Sequence, residues 1–168
     1  MDNIQLNHNH HTPSSPGKSL CILAPDISSP ENIGSIFRIA DAMGIEKIYL
    51  SGSSPLPPNP KIKKTSRSTE KYVPFEYQDK PLIIINALIE KGYKIISLEI
   101  ASSSIDIREL KIHPDEKICL ILGSEKEGIN QELLDISDHT IHIPMHGQNS
   151  SMNVATACAI TCWQIISR

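Results

Sequence analysis

Short apolar segments alternate along this chain with segments whose apolar residues recur at helical spacing. The short segments predict strands at 20–24, 47–50, 94–100, 117–122 and 140–143, with a weaker one at 72–77. Helical patterns cover 30–43, 81–91, 131–135 and 154–167, and 105–110 is predicted as one helical turn. Strands separated by helices predict an α/β fold, with a mostly parallel sheet covered by helices on both faces.

The chain of 168 residues is long enough for one domain, which we expect at 19–168. Residues 1–18 are rich in Asn, His, Ser and Pro and predict a flexible polar tail, although His8, His10 and His11 could bind a stray metal ion. No apolar run reaches the roughly 20 residues of a membrane helix, and the polar start is unlike a secretory signal. We therefore expect a cytoplasmic protein with no membrane partner. The cysteines form no zinc-binding spacing and are interpreted as reduced, buried thiols.

Three polar segments follow predicted strands at the sheet edge where ligands of parallel sheets bind. The first carries Asn32, Gly34 and Arg38. On a helix, Gly34, Arg38 and Asp41 share a polar face, where a glycine permits close approach of a ligand or another chain. Taken alone, a solvated face with an incidental arginine is the preferred interpretation.

The second segment, L-G-S-E-K-E-G-I at 122–129, directly follows an apolar strand. Its glycines let the backbone bend around a ligand, and Glu125 adds a carboxylate. It matches neither a Walker loop nor a dinucleotide fingerprint, and alone it is equally typical of a turn.

The third segment, I-P-M-H-G-Q-N-S-S-M-N-V-A-T-A at 143–157, places small and amide side chains between a strand and a helix. Such a loop is suited to wrapping a polar ligand with its backbone. Ser151 is not in a G-x-S-x-G elbow, so the sequence gives little support to serine hydrolase chemistry.

In this order, the three segments resemble the SpoU class of RNA ribose methyltransferases, also called the TrmH family. That family shows N-x-G…R, then L-G-x-E-x-x-G, then I-P-M-x-G-x-x-x-S-L-N-V-x-x-A. The chain matches each pattern from Ser19 onward, with Met152 in place of the leucine.

The resemblance implies a SPOUT α/β fold with a C-terminal trefoil knot, and a homodimer whose active site uses both subunits. It implies S-adenosylmethionine as cofactor, bound by Leu98, Gly123, Ile143 and Met152. Small residues in the last helix fit either a dimer face or a tightly packed core. No metal is implied.

The resemblance also implies transfer of a methyl group to a ribose 2′-hydroxyl. Arg38 is the implied catalytic residue; because a guanidinium does not give up its proton, we expect it to hold phosphate and stabilise negative charge. The other implied catalytic-site residues, which would position the ribose, are Asn32, Glu125, Ser151 and Asn153. Glu125 could accept hydrogen bonds from loop amides or pair with Arg38.

A net charge of −3 gives no global argument for nucleic acid, so RNA binding requires a local basic cluster. One lies at 61–71, where a solvated charge run is the common alternative. Given the resemblance, we expect phosphate contacts from Lys61, Lys63, Lys64, Arg67 and Lys71. The expected substrate is tRNA, because no added RNA-binding domain flanks the core. The alternatives are a ribosomal-RNA methyltransferase and a non-catalytic member that binds RNA or cofactor.

Overall fold

The computed structural model describes residues 17–167 together with Ile4 and Thr12. The predicted tail at 1–18, including His8, His10 and His11, otherwise lies outside the described residues. Seven strands form one sheet, and they are β1 (Leu20–Pro25), β2 (Lys47–Ser51), β3 (Phe75–Gln78), β4 (Tyr93–Leu98), β5 (Ile105–Asp106), β6 (Lys117–Leu122) and β7 (His139–His142). Their order is β3-β2-β1-β6-β4-β7-β5, and every neighbouring pair is parallel.

Helices cover both faces of this sheet, which confirms the predicted fold class. They are α1 (Pro30–Met43), α2 (Pro60–Ser66), α3 (Pro81–Glu90), α4 (Gln131–Asp135) and α5 (Val154–Ile166), with a 3-10 turn at Thr69–Lys71. One apolar cluster joins α1 and α5 to the sheet through residues such as Phe37 and Cys158. A second cluster joins α3 and α4 to the other face through Ile85 and Leu133.

The ends of α1 follow the sequence signals. Ser29 caps the helix by accepting a hydrogen bond from the Asn32 amide, and Pro30 takes the first helical position. Gly44 ends it in the left-handed region at φ 64°. The predicted apolar face is buried at Ile33, Ile36, Phe37 and Ala40.

Two segments differ from the sequence prediction. The helical turn predicted at 105–110 is wrong, because Ile105 and Asp106 form β5, which pairs with β7. A short apolar run does not distinguish a strand from a helix by periodicity. The basic segment at 61–71, for which no element was predicted, forms α2 and the 3-10 turn. The Asn59 side chain caps α2, with Pro60 at its start.

All four cysteines are buried with free thiols. None of the described helices is both long and apolar enough to span a membrane. Within residues 17–167, no cluster of His, Cys, Asp and Glu side chains is arranged to hold a metal ion.

Candidate active site

The three sequence segments meet at the carboxyl edge of the sheet. They leave β1, β6 and β7, and parallel pairing brings the ends of these strands to the same edge. Between them, next to the end of β4, lies a cavity of about 590 Å³. The lining residues are Leu98, Glu99, Ile100, Gly123, Ser124, Glu125, Gly128, His142, Ile143, Met145, Ser150, Ser151, Met152, Asn153, Val154 and Ala157.

All four residues expected to bind the cofactor, Leu98, Gly123, Ile143 and Met152, line this cavity. Leu98, Ile143 and Met152 form apolar parts of the cavity wall. Gly123 has no side chain, so a ligand can approach the backbone closely at that position. A cavity of this size with apolar walls and a few polar groups is typical of small-molecule sites.

Glu125 connects the second loop to the first. One of its oxygens accepts hydrogen bonds from the Ser28 amide at 2.8 Å and the Ser28 hydroxyl at 3.0 Å. The other accepts from the Ser29 amide at 3.2 Å and the Asn32 side-chain amide at 2.7 Å. Desolvation alone would raise the pKa of Glu125, but its hydrogen bonds, led by those from the Ser28 amide and the Asn32 side chain, together outweigh it, and the pKa is lowered.

Asn32 connects the first loop to the third. Its side-chain oxygen accepts a hydrogen bond from the Asn153 side-chain amide at 2.9 Å. The Asn153 oxygen in turn caps α5 by accepting from the amides of Ala155 at 2.9 Å and Thr156 at 3.2 Å. Ser151 is exposed on the same loop and lines the cavity. Three residues far apart in sequence, Glu125, Asn32 and Asn153, therefore form one hydrogen-bonded network.

Arg38 does not line this cavity. It lines a second, open concavity of about 850 Å³ together with Pro60, Lys63, Lys64, Arg67 and Ser68. No ion pair among the described residues joins Arg38 to Glu125. Of the two partners that the sequence left open for Glu125, the structure therefore shows the loop amides and not Arg38.

Three of the five predicted RNA-binding residues, Lys63, Lys64 and Arg67, thus share a concavity with Arg38. Lys61 and Lys71 do not line it. Lys61 is 3.3 Å from Glu31, with which it forms an ion pair, and Lys71 belongs to the 3-10 turn.

Gly34 serves the packing of α1 on α2. A Cβ atom at this position would overlap the Thr65 hydroxyl and the Ile62 carbonyl oxygen. The Thr65 hydroxyl also donates to the Glu31 carbonyl at 3.0 Å. The close approach that the glycine indicated is therefore to another helix of this chain.

Glu99 is a cavity residue that sequence reasoning missed. It follows β4 directly and lines the cavity, but it lies outside the three motifs. The sequence feature that could have revealed it is an acidic residue at the end of an apolar strand, on the edge of the sheet where ligands bind.

Residues 19–163 match the model of the SpoU rRNA Methylase family. The chain belongs to the SpoU family. Among relatives, it is 27% identical over 88% of its length to a tRNA (guanosine(18)-2′-O)-methyltransferase of Aquifex aeolicus. It is 26% identical over 86% of its length to a 23S rRNA (guanosine(2553)-2′-O)-methyltransferase of Bacillus subtilis.

A solved RNA methyltransferase structure has the same fold. The AdoMet-bound rRNA methyltransferase of Sinorhizobium meliloti superposes with a TM-score of 0.82 at 22% identity over 90% of this chain. The chain spans 68% of the Aquifex protein, 56% of the Bacillus protein and 57% of the Sinorhizobium chain. The trefoil knot implied by the sequence resemblance stays a prediction.

Proposed function

We propose that this protein methylates a ribose 2′-hydroxyl of RNA, with S-adenosylmethionine as methyl donor. The observation that carries the proposal is the network of Glu125, Asn32 and Asn153, which joins the three SpoU motifs around one cavity. Membership of the SpoU family supports the reaction class.

The cavity fits the cofactor in size and character. Its volume of about 590 Å³ suits a ligand as large as S-adenosylmethionine. Ile143 and Met152 would flank the adenine, and Gly123 would admit the backbone contact that the family uses. The bound cofactor supplies an electrophilic methyl group on a sulfonium.

Arg38 and its basic neighbours would hold the RNA backbone. Arg38, Lys63, Lys64 and Arg67 bring four positive charges to one concavity, which suits phosphate groups. A guanidinium keeps its proton, so Arg38 would bind the phosphate next to the target ribose and stabilise negative charge on its hydroxyl oxygen. Ser151 and Asn153 would position the ribose on the cavity side.

A homodimer would complete the site. On α5, the exposed residues are Thr156, Ile160, Trp163 and, just beyond its end, Ser167, which fall on one face at helical spacing. Trp163 is 62% exposed and Ile160 is 40% exposed. Large exposed apolar residues in a stripe are typical of an interface. In such a dimer, Arg38 of one subunit would face the cofactor cavity of its partner.

We favour tRNA as the substrate and the cytoplasm as the location. Of the two relatives named above, the one whose length this chain covers better is named as a tRNA methyltransferase. Ribosomal RNA is the alternative, because the Bacillus relative is named as a 23S rRNA enzyme.

The experiment is a map of 2′-O-methyl groups in tRNA and ribosomal RNA from cells with and without this protein. We expect one tRNA site to disappear, and to return with the wild-type protein but not with a Lys63→Ala, Lys64→Ala double variant. Lys117→Ala, which removes an exposed charge at the opposite edge of the sheet, is the control and should restore the site.

Other outcomes decide between the alternatives. Loss of a site in ribosomal RNA would identify the other substrate. If no ribose methylation changes in either RNA, while the purified protein still binds RNA or cofactor, the protein is a non-catalytic member.

A further inference from the structure

Glu99 places a carboxylate in the wall of the cofactor cavity. It follows β4 directly, is partly buried, and lines the cavity beside Leu98 and Gly123. A carboxylate in such a position needs either internal partners or a ligand, since an unpaired charge away from bulk water is costly.

Two backbone amides fix the Glu99 side chain. One carboxylate oxygen accepts a hydrogen bond from the Ile100 amide at 2.9 Å, and the other accepts from the Ile129 amide at 2.9 Å. An ionised carboxylate has about four acceptor positions. These two bonds therefore leave acceptor capacity on both oxygens.

The loop after β6 is shaped around this carboxylate. Gly128 has φ 66°, and a Cβ there would overlap a Glu99 oxygen. A Cβ at Gly123 would lie 2.9 Å from the same oxygen. The two glycines thus form a cradle that keeps the carboxylate against the cavity.

Glu125, the other carboxylate of the cavity, differs in this respect. It already accepts four hydrogen bonds, from Ser28, Ser29 and Asn32. Its acceptor positions are used within the protein, whereas those of Glu99 are only half used. Of the two cavity carboxylates, Glu99 is the one equipped to receive a ligand.

We infer that Glu99 binds the methyl donor directly, by accepting a hydrogen bond from a ribose hydroxyl or from the ammonium group. The inference rests on the proposed function. Both groups are hydrogen-bond donors in S-adenosylmethionine, and an ionised acceptor forms strong hydrogen bonds with either.

The test is calorimetric titration of three ligands into the wild type, Glu99→Gln and Glu127→Gln. S-adenosylhomocysteine carries both kinds of donor, 5′-methylthioadenosine keeps the ribose but lacks the amino acid, and adenine lacks both. Glu127 is exposed on the same loop but does not line the cavity, so it is the charge-matched control.

For S-adenosylhomocysteine, we expect Glu99→Gln to bind about tenfold more weakly than the wild type and Glu127→Gln to bind equally. Adenine should bind all three proteins alike. If the loss persists with 5′-methylthioadenosine, the contact is to the ribose; if it disappears, the contact is to the ammonium group.

Equal binding of S-adenosylhomocysteine by Glu99→Gln and the wild type would overturn the inference while leaving the proposed function intact. The same loss for adenine would also overturn it, because the carboxylate would then contact the base or act only by shaping the loop. Should Glu99→Gln fail to fold, a wild type that binds adenine as tightly as S-adenosylhomocysteine overturns it independently, because adenine lacks both groups. A wild type that binds no S-adenosylhomocysteine would contradict the proposed function itself.

Discussion

At the scale of single residues, Glu125 determines how the first two loops respond to pH. Its folded-state pKa lies below the ordinary value of 4.5, so its carboxylate stabilises the fold fully above about that pH. The contribution is lost as the pH falls through the lowered pKa. We expect Glu125→Gln to be less stable than the wild type near neutrality, with the difference shrinking below pH 4.5.

Urea unfolding across this pH range measures the effect. Glu127→Gln, which changes an exposed carboxylate of the same loop, is the control and should follow the wild type at every pH. A stability difference for Glu125→Gln that stays constant with pH would contradict the role of its charge.

Arg38 acts, in our account, on the RNA and not on the cofactor. We expect Arg38→Ala to lower the rate of methyl transfer by about a hundredfold or more, because charge stabilisation is lost. Arg38→Lys keeps the charge but not the planar fork, so its activity should be intermediate. Cofactor affinity should not change, since Arg38 does not line the cavity.

Single-turnover rates and calorimetric cofactor titrations check both halves of this expectation. A fully active Arg38→Ala would remove any catalytic role for the residue. Weakened cofactor binding would mean that Arg38 contacts the cofactor, either in its own subunit or in the partner.

Sequence reasoning did better with residues in motifs than with residues outside them. The residues that the SpoU resemblance implied for cofactor binding all line one cavity. Leu98, Gly123 and Ile143 lie at or just after strand ends, whereas Met152 lies in the loop before α5. Glu99 was missed because a lone acidic residue after a strand has no signature until the strands are paired. The sequence left open whether Glu125 bonds to loop amides or to Arg38, for the same reason. The contact depends on how two loops pack together, and Ser28 and Glu125 are 97 residues apart.

At the scale of elements, the contact between α1 and α2 positions the basic concavity. Gly34 has no room for a Cβ atom against Thr65 and Ile62. We therefore expect Gly34→Ala to lower the free energy of unfolding by about 1–3 kcal/mol, as overpacking does. The displaced α2 should also weaken RNA binding, since Lys63 and Lys64 lie on it.

Urea unfolding and RNA titration measure the two effects. Gly147→Ala is the matched control, because nothing lies within 4 Å of a Cβ at that position. If Gly34→Ala were as stable as the wild type, the tight contact between α1 and α2 would be contradicted.

Helix and strand prediction failed where elements were short or lacked an apolar face. β5 has two residues and depends on pairing with β7, which no local pattern reveals. α2 has seven residues, of which only Ile62 and Ser66 are buried. With a single buried apolar residue among lysines, it shows no apolar periodicity that would predict a helix. The sequence does carry a helix-start signal there, because Asn59 is a favourable cap and Pro60 suits the first helical position. That signal alone does not predict a helix, because the segment that follows is basic and polar. Long elements such as α1 were predicted because a cap, a first-turn proline and a terminal glycine agreed.

At the scale of the whole molecule, the account requires two subunits. We expect a Trp163→Glu, Ile160→Glu double variant to be monomeric and to lose methyl transfer, because burying two carboxylates at the α5 interface is costly. Ile89 on α3 is 42% exposed on the opposite face of the sheet, and Ile89→Glu is the control that should stay dimeric and active.

Sedimentation equilibrium gives the mass of each protein. A wild type that is monomeric and active would contradict the shared site. A double variant that remains dimeric would instead contradict the placement of the interface on α5.

The position of the transferred methyl group distinguishes ribose methylation from base methylation. RNA is incubated with the protein and S-adenosylmethionine labelled in its methyl group, and is then hydrolysed in alkali. Alkaline cleavage needs a free 2′-hydroxyl, so a 2′-O-methylated nucleotide stays joined to its neighbour. We expect the label in alkali-resistant dinucleotides, and we expect Arg38→Ala to incorporate it at least about a hundredfold more slowly. Label in mononucleotides, which would mean methylation of a base, or no label in any RNA offered, would contradict the proposed ribose methylation.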